Sequence, residues 1–275
     1  ETYTNNINNY KSKVSFELTS IKMPNSQAEY YNTTWTDVTK NIYKSSNFGN
    51  ELNKTNYFKH DIATITGTPN EKLAIAFQLV KQKIKWNGNY GIYTNSGVKN
   101  AYKEGVGNVA EVNLTLVNML RQAGLKANPI LISTRSHGIP MFPTTEGFNY
   151  VIAGVESANG VVLLDATELN SIPNVLPLRD LNWNGRLIRK DGSSISVSLF
   201  PNSHTSEKVF VKVNLNENGM NGNTRIAYDQ IKALNYRNSF MHIAKEDLIT
   251  KLEKDFNGIE IEDIKVMNEE KLGKP

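Results

Sequence analysis

Apolar and polar positions change period along the chain, and the changes mark its elements. Val14-Ser-Phe16-Glu-Leu18-Thr alternates with period two, which predicts a strand with one buried face. Thr34 then reads as a helix N-cap with Asp37 three residues on. Trp35, Val38, Ile42 and Tyr43 follow at helical spacing toward a stop in Ser45–Gly49. Pro69-Asn-Glu71 opens a second helix with Leu73, Ala74, Phe77, Val80 and Ile84 on one face. Trp86-Asn-Gly-Asn-Tyr-Gly91 ends it in a turn, and a short helix is expected over Val98–Glu104.

Residues 109–123 give the strongest helical signal. Val109, Val112, Leu116, Val117, Met119, Leu120 and Ala123 are apolar on more than one side, which predicts deep burial. Asn108 suits the N-cap and Gly124 the position past the end. A buried strand follows from Pro129, then a loop over Ser136–Gly147. Phe148–Ala153 and Val161–Asp165 read as strands joined by a turn at Ser157-Ala-Asn-Gly160.

A loop with Pro173 and Pro177 leads to a hairpin, Arg186–Arg189 with Ser194–Leu199. Lys208–Leu215 and Asn223–Ala227 are two more strands, and Tyr228–Phe240 and Ala244–Phe256 are helices. Alternation from Ile259 to Val266 predicts a last strand. A helix feeding an antiparallel meander points to an α+β fold, not a doubly wound one.

Composition narrows the chemistry. Among 275 residues there is no cysteine, which excludes disulfides, thiolate zinc sites, iron–sulfur clusters and a cysteine nucleophile. The net charge is +4 and the pI about 9.0. The final 31 residues carry 6 basic and 9 acidic side chains, leaving +7 spread thinly over the preceding 244. Scattered cations without a stripe or a recognition module argue against nucleic-acid binding. No run of 18 apolar residues exists, so no membrane span is expected. The chain opens on Glu-Thr-Tyr and closes on Lys-Leu-Gly-Lys-Pro, as if cut from a longer protein, so a missing signal peptide does not imply a cytoplasmic one. His60, His204 and His242 are isolated and lack metal-ligand spacing, so no metal site is expected; no cofactor is expected either. The loop hydroxyls of Ser133, Thr134, Ser136, Thr144 and Thr145 lack a nucleophile-elbow context.

Four stretches carry a resemblance. Gly107-Asn-Val-Ala-Glu111 opens the buried helix and Leu116–Leu125 ends it in Ala-Gly-Leu. Phe148-Asn149-Tyr150-Val151 begins a strand, and Leu164-Asp165-Ala166-Thr167 ends the next. In this order they resemble the transglutaminase-like domain, a papain-like fold, over about residues 50–170. In that family a thiol at the helix N-terminus is favoured as thiolate by the helix dipole. A strand histidine serves as its base, and a carboxylate one strand over orients the histidine. The resemblance puts Val109 at the cysteine position, Tyr150 at the histidine position and Asp165 at the surviving carboxylate.

Valine has no nucleophilic atom, and a tyrosine pKa near 10 is too high for a base at neutral pH. Loss of a nucleophile or base costs a factor of about 10⁶. The reading is therefore a pseudoenzyme, with no catalytic residue retained. Asp165 is left either hydrogen-bonding Tyr150 or nearby backbone, or lining a cleft. The candidate cleft residues are Trp86, Tyr90, Glu111, His137 and Asn149; Glu111 could equally serve the helix N-terminus as an anion.

The resemblance also implies domains at 1–49 (the tail of a preceding β-rich domain with a linking helix), 50–180 (transglutaminase-like) and 181–275 (a β-rich module with helices), in an exported protein of the kind typical of Bacteroidetes. The implied function is a binding or scaffolding module for a peptide, protein or glycan in the degenerate cleft. A hydrolase with another nucleophile and a plain structural spacer are the alternatives.

Overall fold

The computed structural model describes residues 6–12, 14, 18–30, 34–217, 219–256 and 258–274. Among them are seven α-helices and an antiparallel five-stranded sheet, a mixed α and β chain. The strand expected over Val14–Thr19 lies largely outside the described residues.

The chain forms two compact units. The first covers residues 1–169 and 176–200. It begins with the two-residue pairing of β1 (Ser20–Ile21) and β2 (Glu29–Tyr30), followed by α1 (Trp35–Lys44). Thr34 and Asp37 cap α1 reciprocally, each side chain bonding the other's backbone N–H. After α2 (Lys59–Ile62) comes α3 (Pro69–Lys83), capped the same way by Thr68 and Glu71. A short parallel pairing of β3 (Lys85–Trp86) with β4 (Val106–Gly107) brackets α4 (Val98–Glu104).

At the centre runs α5 (Val109–Gln122), whose side chains from Val109 to Leu120 are all buried. Burial on every side requires that its polar groups be bonded inside the protein. Asn108 caps the helix, and Glu111 bonds back to the Asn108 N–H. Asn118 Nδ2 donates to the carbonyls of Glu51 and Lys54. Gly124 follows the helix with φ +85, a conformation that glycine adopts without strain. Gly107 is needed for space, since a Cβ there would lie 2.9 Å from Glu111 Cβ and 3.0 Å from Ala101 Cβ.

Helix α5 packs on the sheet, whose strands are β5 (Ala127–Ile132), β6 (Tyr150–Ser157), β7 (Gly160–Leu164), β8 (Asn184–Ile188) and β9 (Ser194–Ser198). Their order is β7-β6-β5-β8-β9, antiparallel throughout. The hairpin beyond residue 180 therefore belongs to this sheet and does not open a C-terminal module. Ile130 pairs with Leu187 and Leu131 with Arg186, so the unit extends to Phe200. Glu156 ties the strands together with Arg189 at 2.7 and 2.9 Å, Asn128 at 2.8 Å and Lys126 at 3.2 Å.

The second unit covers residues 170–175 and 201–275. Its ribbon of β10 (Glu207–Asn216) and β11 (Gly219–Tyr228) leads into α6 (Gln230–Phe240) and α7 (Lys245–Asp255). Arg237, buried on α6, donates to the carbonyls of Asn268, Glu269, Lys271, Leu272 and Lys274 and so fixes the chain's last segment. The strand expected over Ile259–Val266 is absent. The segment follows α7 instead, with the Ile261 N–H on Glu253 Oε1 at 2.8 Å, and no strand among the described residues pairs with it.

Candidate functional site

The register of β6 with β7 gathers the site. Ala153 opposes Leu164, so the start of β6 and the end of β7 share one end of the sheet. Tyr150 opens β6, and Asp165 follows β7. Asn113 is one turn after Val109 on the same face of α5. Its Nδ2 donates to Asp165 Oδ1 at 2.9 Å and to the Val151 carbonyl at 3.0 Å, and its Oδ1 accepts from the Ala166 N–H at 2.9 Å. Asn113 thus ties α5 to the end of the sheet that holds Tyr150 and Asp165, and Val109, Tyr150 and Asp165 are all buried.

The Tyr150 hydroxyl donates to Asp165 Oδ2 at 2.9 Å and meets Thr167 Oγ1 at 2.7 Å. Thr167 in turn bonds Asp165 through its backbone N–H at 3.0 Å and its hydroxyl at 2.8 Å. Arg179 closes the group, with Nη2 donating to Asp165 Oδ2 at 3.2 Å and to Thr167 Oγ1 at 2.9 Å. Its Nε lies 3.4 Å from the Tyr150 hydroxyl, and its Nη1 3.5 Å from Glu168 Oε2. Arg179 also stacks its guanidinium over Trp86 at 4.8 Å.

Burial, and then the nearby Asp165 charge, push the Tyr150 phenol well above its ordinary range. It stays protonated and acts as a hydrogen-bond donor. Burial opposes the charge of Arg179, but Asp165, Tyr150 and Asp180 outweigh it and hold the guanidinium above its ordinary range. Asp180 is fully buried, and among the described residues no N–H group bonds its carboxyl oxygens; its side-chain hydrogen bond is with the Asp165 carboxylate. The nearest cation is Arg179 Nε at 3.8 Å. Burial first, and Asp165's charge second, raise the Asp180 carboxyl well above the carboxylate range.

Of the five candidate cleft residues, two stand at this site. Trp86 and Tyr90 pack edge to face at 5.6 Å, and Tyr90 lies 5.6 Å from the Tyr150 ring while remaining 48% exposed. The other three serve the local structure. Glu111 is not a cleft residue: its Oε1 accepts from the backbone N–H groups of Asn95, Ser96 and Gly97, and its Oε2 caps α5. His137 is exposed and meets the Glu146 carbonyl within its own loop. Asn149 is bonded twice to Thr134, pinning the two ends of that loop together.

Arg179, Thr167, Asn113 and Asp180 were missed as site residues. Asn113 had a signal, its place four residues after Val109 on one helix face. Arg179 had none, because it sits in the short 3₁₀ turn Leu178–Asp180 after a loop without periodicity. Among the described residues no three His, Cys, Asp or Glu side chains gather as a metal site, and no helix is long and apolar enough to cross a membrane.

No protein-family model matches this chain, and no curated protein matches it in sequence. A solved structure from Parabacteroides distasonis, described as a "putative protease", is similar over 68% of this chain at 13% identity, with a TM-score of 0.44. The chain spans 36% of that structure's length.

Proposed function

We propose that this chain is a non-catalytic protein of the transglutaminase-like kind, with a papain-like core, serving an exported bacterial protein as a binding or scaffolding module for a peptide or a glycan. The observation that carries the reading is the Tyr150–Asp165 hydrogen bond. At the positions where the family places a base and its orienting carboxylate, this chain has a protonated phenol given to a carboxylate and covered by Arg179. A phenol in that state cannot take a proton from a nucleophile. Val109, on the same helix face as Asn113, offers none to deprotonate.

The burial of Val109, Tyr150 and Asp165 limits what the old centre could hold. A ligand there would meet the outer edge formed by Trp86 and Tyr90. The same burial favours a second reading, in which this part of the chain is a structural spacer and the centre is simply a bonded core. The test is turnover of a panel of peptide and ester substrates by the purified protein. No turnover is expected. Turnover that disappears on Asp165→Ala would overturn the proposal and favour a cysteine-independent hydrolase.

A further inference from the structure

A groove of about 210 Å³ lies in the first unit among the start of α1, the 133–149 loop and the β8–β9 hairpin. We propose that it binds a peptide segment in which an apolar side chain stands next to a carboxylate. The inference goes beyond the reading of the buried centre and requires nothing of Val109, Tyr150 or Asp165.

The charge argument comes from Arg186. Its guanidinium lies over the Trp35 ring at 4.0 Å. Stacking occupies the flat face and leaves the in-plane N–H donors free, the geometry that matches a carboxylate with two parallel hydrogen bonds. Among the described residues, no carboxylate or other acceptor bonds the Arg186 guanidinium, whose residue is paired through its backbone in β8. Burial without a counter-charge pulls its pKa down, a cost that a bound anion would relieve.

The rest of the lining is chiefly apolar. Trp35 and Phe148 pack at 5.9 Å to form one wall, while Met141 and Trp183, 73% and 48% exposed, stand at the rim. Large exposed apolar side chains gathered around a cation with no counter-charge among the described residues mark an interaction site more than a solvated surface. Asn184 and Ser196 are the other polar side chains of the lining, too few to satisfy the hydroxyls of an oligosaccharide. The volume is below the ~300 Å³ at which pockets for drug-sized ligands begin, and suits one residue of an extended chain.

The rim is also set in advance. Trp183 has φ +63, a left-handed conformation that a bulky aromatic rarely adopts. Its carbonyl accepts from the Leu199 N–H at 2.9 Å. Next to it, the buried Asn182 side chain donates to the carbonyls of Ser133 and Gly138 at 3.0 and 2.7 Å, so the same short segment fixes Trp183 and anchors the opposite loop. Walls fixed before binding lose less entropy when a ligand arrives.

The test is titration of the intrinsic tryptophan fluorescence of the whole chain, since Trp35 and Trp183 both line the groove. The probes are acetyl-Gly-Phe-Asp-Gly-amide, the same peptide with Asn for Asp, and chitotetraose. A saturable change with the acidic peptide is expected, weakened about tenfold or more by Asn in the peptide and by Arg186→Met in the protein. Trp183→Gly is the second variant, because glycine accepts φ +63 without strain and the half-exposed ring is not needed for the core. It too is expected to weaken binding about tenfold while the protein stays folded. The proposal is overturned if the two peptides bind equally, if the sugar alone binds, if no peptide produces a saturable change, or if folded Arg186→Met and Trp183→Gly bind as the parent does. Each of these results is independent of whether any substrate is turned over, so the two proposals fail separately.

Discussion

The Tyr150 hydroxyl donates to Asp165 Oδ2 at 2.9 Å, and Arg179 Nη2 reaches the same oxygen at 3.2 Å. One carboxylate oxygen is thus shared by a neutral donor and a cation, out of contact with water. Removing one donor from such a group exposes the rest to an unmet bonding demand, which makes the arrangement measurable.

Tyr150→Phe keeps the ring and deletes the donor. A loss of about 1–3 kcal/mol of folding stability is expected, the cost of a buried acceptor left short of a partner. Urea unfolding of the two proteins checks it. A cycle with Asp165→Asn should show the two changes to be non-additive, as they must be if the residues act through one bond.

Val109→Cys introduces the only thiol in the chain. Because position 109 is fully buried, the thiol should react with an alkylating reagent far more slowly in the folded protein than after unfolding. Alkylation at the rate of a free cysteine would show an open centre.

Asp180 gives a pH signature. Its folded-state pKa is raised above the ordinary 3.8, so above that value the folded state holds a proton that the unfolded state releases. Stability therefore falls as pH rises from about 4 toward the raised value. Asp180→Asn keeps the shape and cannot ionise. Its urea midpoint should decline less over the same range, and an unchanged slope would count against the assignment.

Glu156 has the opposite sign. Hydrogen bonding to Arg189, with help from Lys126 and Asn128, lowers its pKa from 4.5 to about 2 against the effect of burial. Its contribution is complete above pH 4.5 and is lost as pH falls toward about 2. Glu156→Gln should therefore be less stable than the parent at pH 7, with the difference narrowing through that acid window in far-ultraviolet circular dichroism melts.

Much of the first unit was legible because its signals are local. The two-sided apolar run from Val109, the Thr34–Asp37 cap and the turn before Gly160 each depend on neighbours within a few residues, and each appears in the structure. The meeting of Tyr150 with Asp165 was legible as well, since a hairpin brings the start of one strand to the end of the next. Arg179 was not, because its reach to Asp165 depends on the path of an irregular loop. Pairing of β5 with β8 was not, because nothing in either strand names its partner across more than fifty residues. The Ile259–Val266 segment shows the converse, that period-two alternation permits a strand and only a neighbouring edge makes one. Likewise, Glu111 was legible as an anion at a helix start, whereas the loop of three backbone N–H groups that it gathers was not.

The strand order β7-β6-β5-β8-β9 has a consequence for the newly made chain. As residues leave the ribosome in sequence, β5, β6 and β7 can form their meander early, but one side of β5 stays without a partner until β8 has been synthesised. During that interval, the backbone groups along Ile130 and Leu131 are an open template for any other extended segment. A chain stopped at residue 180 would keep that template permanently. The hairpin of β8 and β9 thus protects the sheet from adventitious pairing, in addition to its part in shaping the groove.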